Sequence, residues 1–307
     1  MLAYIGIKLL YLFKPKKNIM KRIIITLVLL GGIINPFYSQ SSSFKDTTAN
    51  ITGWNLAGFH PIPSKKAADF ANAITYFDPE VLALVEVNPD DFIDKIIAEL
   101  KKLGKSYKGV ILDQTSKQNI AIIYKDGVEL SNLRLIDGSD NDNRYLRKAL
   151  VADVKIGGFD FILITLHLKS AREKEERETR DEQTKAIATF IKNTTESTEK
   201  DVLVVGDYNM VTGDDQSNFT NMNPTNYLNF VSDSLKGQFT HISPSGKKGR
   251  LLDGYAISKD YTNEYVIGSI RIIPLHKILG LSLLNFRRNI SDHLPVDAIF
   301  RITDDDD

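Results

Sequence analysis

Two short segments of this chain carry the residue types that phosphate-ester chemistry needs. One is Gly206-Asp207-Tyr208-Asn209, at the end of an apolar run. The other is Ser291-Asp292-His293, directly before Leu294-Pro295-Val296. Together they offer two carboxylates, an amide and an imidazole against β-like stretches. Attack of water on a phosphate ester needs oxygen ligands for a divalent cation, a titratable group for the water proton, and neutral donors for charge developing on oxygen.

Other apolar runs end or begin in similar residues. Trp54-Asn55 contains the only Trp of the chain. Glu86 lies inside Ala83-Leu84-Val85-Glu86-Val87-Asn88, where an unpaired carboxylate would be costly to desolvate. It must be paired, protonated or on a cation. Ile164-Thr165-Leu166-His167-Leu168 adds an imidazole, and Leu251-Leu252-Asp253-Gly254-Tyr255 a further carboxylate. Taken singly, each has an ordinary structural reading: His167 as a satisfied core histidine, Asp253 or Gly206 to Asn209 as part of a turn. Their joint pattern points to a site. Hard oxygen donors in a chain without cysteine favour Mg²⁺, with Mn²⁺ or Ca²⁺ as alternatives, over zinc. His60, His241 and His276 have no such context and read as structural or surface residues.

The elements that must position these residues alternate from residue 50 onward. Apolar spacing at i, i+3, i+4 and i+7 predicts a helix over 64–77, with Ser64 as its N-cap. A buried strand follows at 81–87, then an amphipathic helix over 90–103 closed by Gly104. Strand-like runs occupy 106–112, 119–124, 128–135, 146–156 and 159–167. The helix over 171–193 carries Glu173/Arg177 and Glu176/Arg180 at i,i+4, which read as a solvated face. Residues 202–205 form an apolar strand, 211–249 are loop-rich, and 251–258, 264–273 and 294–302 read as the last strands. Hairpin-rich blocks, each with an early helix, predict an α/β fold: a four-layered α/β/β/α sandwich of two mostly antiparallel sheets with outer helices.

Composition narrows the function classes. The 307 residues include 39 Lys and Arg against 39 Asp and Glu, so no global basic field advertises nucleic-acid binding, and any such binding must be local. The absence of cysteine excludes disulfides, thiolate catalysis and Cys-ligated zinc. At the N-terminus, Met20-Lys21-Arg22 precedes an apolar run over 23–34 and a polar exit, the pattern of a secretory signal. The run is shorter than the ~20 residues of a membrane span. Residues 1–40 are therefore expected to be an N-terminal extension and secretory signal, 41–303 the catalytic domain, and 304–307 an acidic tail. The expected location is secreted or periplasmic, with a retained membrane anchor as the alternative.

In this order and with these residues, the segments resemble the endonuclease/exonuclease/phosphatase superfamily over about residues 50–302. Its members include pancreatic-type deoxyribonucleases, abasic-site endonucleases, bacterial sphingomyelinases and inositol-polyphosphate 5-phosphatases. The resemblance implies a four-layered sandwich and metal-dependent phosphodiester hydrolysis. It implies that Glu86 and Asp292 are metal ligands, with Asn55 beside metal and phosphate. Arg147 would face the phosphate and His167 would hydrogen-bond it. Asp207 would take or steer the water proton, Asn209 would donate to oxygen, and Asp253 would orient His293, the general base or acid. Tyr208 stands where Phe is commoner. The active-site tyrosine of many nucleases has no counterpart, Ser116 or Gln118 lying nearest. Asp253-Gly254 departs from the 5-phosphatase pattern. The resemblance favours a nucleic acid substrate, DNA or RNA, with Lys247, Lys248 and Arg250 available to track its backbone. A sphingomyelinase-like lipid phosphodiesterase, through the apolar stretch 278–286, or a phosphatase is the alternative, and a non-catalytic binding homologue the third reading.

Overall fold

The computed structural model describes residues 47–58, 66–196 and 199–303. The signal expected within 1–40, His60, the Ser64 cap and the acidic tail 304–307 lie outside the described residues.

In chain order the strands are β1 (Thr48–Asn55), β2 (Val81–Val87), β3 (Tyr107–Ile111), β4 (Asn119–Lys125), β5 (Val128–Leu135), β6 (Leu150–Ile156), β7 (Phe159–His167), β8 (Val202–Asp207), β9 (Leu228–Asn229), β10 (Asp253–Ser258), β11 (Arg271–Ile272) and β12 (Val296–Arg301). They form two six-stranded sheets, ordered β11-β12-β1-β2-β4-β3 and β5-β6-β7-β8-β10-β9. Each sheet contains one parallel pair, β1 with β2 and β7 with β8, and every other pairing is antiparallel. A parallel pair requires a crossover. Helices α1 (Ala67–Thr75) and α3 (Lys174–Thr195) supply the two crossovers, while α2 (Phe92–Lys102) follows β2.

Alternation along the strands builds the layers. Val81, Ala83 and Val85 of β2 point into the core between the sheets, with Leu163, Val205 and Tyr255 of the second sheet. Leu82 and Leu84 point the other way, onto Phe70 of α1 and Ile96 of α2. Ile164 and Val204 likewise face Ile187 and Ile191 of α3. Strands buried on both faces read as unbroken apolar runs, as 81–85 and 202–205 do. The result is the expected four-layered sandwich.

Several local expectations change. The strand expected over 264–273 shrinks to Arg271–Ile272, because a turn closed by Ser269 N–H on the Val266 carbonyl interrupts it. The strand expected from 146 starts at Leu150; Leu146 N–H instead closes a turn on the Asn143 carbonyl, leaving Arg147 in a loop. The stretch 278–286 spans the end of α5 (Leu275–Ile278) and most of α6 (Leu283–Asn289), after α4 (Gln216–Met222). Ile278, Leu279, Leu281, Leu283 and Phe286 pack on the outer core of the first sheet rather than forming an exposed apolar hairpin. The charged face of α3 is not all solvated. Arg180 is fully buried, where its guanidinium donates to the carbonyls of Lys169 and Ala171, to Asp215 and to Asn218. It ties the loop after His167 to the loop after Asn209.

Candidate active site

Strand direction gathers the site. The two strands of a parallel pair end at one edge of the sandwich, and their antiparallel neighbours must begin there. The first sheet thus presents His293 before β12, Asn55 at the end of β1, Glu86 near the end of β2, and Gln118 before β4. The second presents Asp253 at the start of β10, Asp207 and His167 at the ends of β8 and β7, and Arg147 before β6. These rows face each other in four rungs. His293 Nδ1 lies 2.6 Å from Asp253 Oδ2. Asn55 Nδ2 donates to Asp207 Oδ2 at 3.0 Å. His167 Nε2 stands 3.6 Å from Glu86 Oε1. Arg147 Nη1 donates to Gln118 Oε1 at 3.0 Å. Other links run along the rows, Asn55 Nδ2 also donating to Glu86 Oε1 at 3.1 Å and Asp207 Oδ2 lying 3.7 Å from His167 Nε2; between the rows, Asp207 Oδ2 lies 3.8 Å from His293 Nε2.

Local backbone features aim these groups. Glu86 sits in a β-bulge between Leu84 and Val87 with φ of 54°, so the strand turns its carboxylate out of the apolar core. Gly206 has φ of 142°, and a Cβ there would lie 2.0 Å from the Leu166 carbonyl oxygen. Only glycine lets β7 and β8 approach closely enough to deliver Asp207 beside His167. Ser291 Oγ donates to the Asn55 carbonyl and accepts from His293 N–H, while Trp54 Nε1 donates to the His293 carbonyl at 2.9 Å. The Ser-Asp-His turn is thereby fastened to the end of β1. Asn209, at φ of 50°, gives its backbone N–H to Asp207 Oδ1 and its amide Nδ2 to the Leu168 carbonyl, which also accepts Arg147 Nη2. Its amide thereby ties the loop after β8 to the loop after β7.

Burial and charge set the protonation states. Burial pushes the Asp207 carboxyl up to about 7; His293 opposes the rise, while Asp253 and Glu86 reinforce it. Burial works against a charged His293, but Asp253 and Asp207 outweigh it and raise the imidazole to about 10. Burial, Arg147 and His293 together hold His167 well below the usual histidine range, so it is a neutral imidazole. The fully buried Arg147 guanidinium is lowered to about 10 by desolvation, with Glu86 and Asp207 pulling it back up, so it stays charged at neutral pH.

This donor set fits a divalent cation. Ligand atoms of Glu86, His167 and Asp207 lie within 4.8 Å of one another, as do those of Asp207, Asp253 and His293. Asp207 carries a raised pKa because it is buried beside other carboxylates, the situation a bound cation relieves. Asp292, expected as a second metal ligand, is not in either group. Its Oδ2 lies 2.6 Å from Arg287 Nη1 of α6, which also donates to the Ile242 carbonyl. The reason is tertiary: α6 packs a guanidinium against the turn that holds Asp292.

Two further residues join the site. Gln118 provides the fourth rung. His241, read from the sequence as a structural or surface residue, forms a β-bridge with His293, and their ring centroids are 5.2 Å apart. Burial and His293 lower the His241 imidazole to about 4. No local pattern marks His241, since it meets His293 only across the fold.

The endonuclease/exonuclease/phosphatase family model matches residues 53–269, and the chain belongs to that family. Among curated proteins it is 26% identical over 166 residues to tyrosyl-DNA phosphodiesterase 2 of Mus musculus. That match covers 53% of this chain and 42% of the mouse protein, so less than half of the relative's length is spanned. Among solved structures, truncated TDP2 from Caenorhabditis elegans superposes with a TM-score of 0.63 at 17% identity, covering 83% of this chain and 98% of that one. D. rerio TDP2 complexed with a single-strand DNA product gives 0.63 at 18% identity, covering 82% and 98%. At these identities the structural likeness concerns the fold.

Proposed function

We propose that the chain is a divalent-cation-dependent phosphodiesterase acting on nucleic acid, DNA foremost, with Mg²⁺ as its cation, and that it is exported from the cytoplasm. The observation that carries the reading is the four-rung array, in which crowded carboxylates face a charged arginine and two histidines of opposite protonation state. Family membership and the DNA-directed names of the relatives support it.

A cation held by Glu86, with Asp207 and Asn55 beside it, would supply a sink for charge on the non-bridging phosphate oxygens. The chain's own residues divide the rest. Asp207 is the proton acceptor for the attacking water, because the proton of the Asp207–His293 pair resides on His293 at neutral pH. His293, held as an imidazolium by Asp253, donates from Nε2 to the phosphoryl group. His167 offers a neutral N–H that brings no competing charge. Arg147, braced by Gln118 and the Leu168 carbonyl, binds the phosphate. Lys247, Lys248 and Arg250 lead from the His241 side toward Asp253 and could follow the backbone there. Nothing in the packed α5–α6 segment favours a lipid substrate.

The test is purified protein with Mg²⁺ or with EDTA, assayed on plasmid DNA, RNA, a tyrosyl-linked oligonucleotide and sphingomyelin, with Asp207→Ala and His293→Ala as controls. The reading expects Mg²⁺-dependent cleavage of a nucleic acid that both substitutions abolish. Cleavage of sphingomyelin alone, or activity indifferent to both substitutions, overturns it. Export rests on the basic-apolar-polar pattern over 20–40, and N-terminal sequencing of the extracytoplasmic protein checks it: a start at residue 1 or 20 would contradict processing.

A further inference from the structure

Tyr145 is 70% exposed, against 46% for Tyr76 and 37% for Tyr261, the other exposed large aromatics among the described residues. An unpacked aromatic ring is an ordinary surface feature when isolated. This one is neither isolated nor loosely held. Its backbone N–H donates to Asn143 Oδ1 at 3.0 Å, and its carbonyl accepts Ser116 Oγ at 3.4 Å. The next residues, Leu146 and Arg147, are buried, so the chain passes from solvent to the phosphate end of the site within two residues. The Arg144 guanidinium lies 4.9 Å from the Tyr145 ring centroid, and its Nη2 donates to the phenol oxygen at 2.7 Å. The ring is thus held in one orientation by a cation before any ligand arrives.

We infer that Tyr145, backed by Arg144, is a stacking platform for an unpaired nucleobase one or two nucleotides from the scissile phosphate. The inference rests on the nucleic-acid reading proposed above and adds a specificity subsite to it. Two residues of chain span at most about 7 Å, which keeps the ring within a nucleotide or two of a phosphate on Arg147. The occupant is a base rather than a second phosphate because of the charges around it. Asp140 and Asp142 lie on the same loop, Asp113 lies across from it, and Lys148 is already paired with Asp137 at 2.6 Å. A backbone phosphate would be repelled there, whereas a neutral π-face is not, and base–aromatic stacking does not depend on sequence. A stacked base must be out of its duplex, so the subsite selects single-stranded or frayed ends.

The test uses the full chain carrying His293→Ala, so that substrate is bound and not cut, and a single-stranded oligonucleotide with 2-aminopurine at successive positions from its end. Binding should quench the fluorescence at one position. Adding Tyr145→Ala should abolish that quenching and weaken binding about tenfold. Tyr145→Trp should retain both, which separates stacking from damage to the fold. Arg144→Ala, which releases the ring without removing a phosphate contact, should reduce the quenching, and neither substitution should change the salt slope of binding. An oligonucleotide abasic at the quenched position should bind equally with and without Tyr145→Ala. Binding and quenching that Tyr145→Ala leaves unchanged, or an equal loss with the abasic strand, overturns the proposal. Turnover of methyl p-nitrophenyl phosphate by the unsubstituted protein tests the phosphodiesterase reading separately. Turnover without any oligonucleotide quenching leaves that reading standing and removes the platform.

Discussion

The two outer rungs of the site are built alike and behave differently. At one end His293 meets Asp253; at the other Arg147 meets Gln118. Each joins a residue before a strand of one sheet to a residue at or before the start of a strand in the other. The His293 rung pairs two titratable groups, so it can hold or release a proton. The Arg147 rung pairs a fixed charge with a neutral amide, so it can hold an anion but has no proton to exchange near neutral pH. The inner rungs between them hold the carboxylates of Asp207 and Glu86. The difference teaches that a symmetric arrangement of strand ends becomes directional through residue type: groups able to exchange a proton at one end, a fixed charge able to hold an anion at the other.

The largest expected effect breaks the His293 rung. His293→Ala should lower kcat by about 10³-fold or more with little change in KM, read by steady-state kinetics on a nucleic acid substrate. Asp253→Asn, which keeps the ring in place but removes the charge behind it, should cost about 10²-fold and shift the alkaline limb of the pH–rate profile downward, because the raised imidazole pKa depends on that carboxylate. Breaking the other end should look different. Arg147→Met should raise KM and lower kcat together, by about 10- to 100-fold in kcat/KM, with the pH profile unmoved. An altered pH profile in that variant would erase the contrast between the ends.

The inner rungs predict a cation effect with a defined sign. The folded-state pKa of Asp207 is raised from 3.8 to about 7, so its contribution to stability is full below the unfolded value and lost as pH rises through about 7. A bound cation offsets that loss. The Tm gain on adding saturating Mg²⁺ to EDTA-treated protein should therefore be larger at pH 8 than at pH 5.5, roughly 5 °C or more at the higher pH. Calorimetry showing an equal or smaller gain at pH 8 would remove the carboxylates from the cation site. Glu86→Gln should abolish the gain. The smallest effect concerns Asp292: if its partner is Arg287, Asp292→Asn should change Mg²⁺ affinity by titration calorimetry less than Glu86→Gln does. It should instead cost stability of about 1 kcal/mol by chemical denaturation.

Much of this site was legible in the sequence because its residues interrupt apolar runs. Glu86 in 83–88, His167 after 162–166 and Asp207 after 202–205 each break a pattern that burial would otherwise keep apolar, and Ser291-Asp292-His293 directly precedes another strand. The layers were legible for the same reason, since a strand covered on both faces shows no alternation. Legibility failed where a residue's environment comes from distant chain. Arg180 obeys the i,i+4 pattern of an exposed helix yet lies beneath two loops that the sequence does not place. Asp292 stands beside the histidine of its motif yet meets an arginine from α6. His241 and Gln118 break no pattern at all.

The sequence by itself determined which groups are available: oxygen and imidazole donors, no thiol, and strands apolar enough to bury both faces. It determined this because residue chemistry and hydrophobic periodicity are local properties. The tertiary structure alone decided which groups face each other, since pairing across the two rows depends on strand direction and order between segments as much as 152 residues apart. It also decided the charge states, because the burial and the neighbouring carboxylates that raise Asp207, the carboxylates that raise His293, and the burial that keeps His167 neutral exist only after the two sheets have closed on one another.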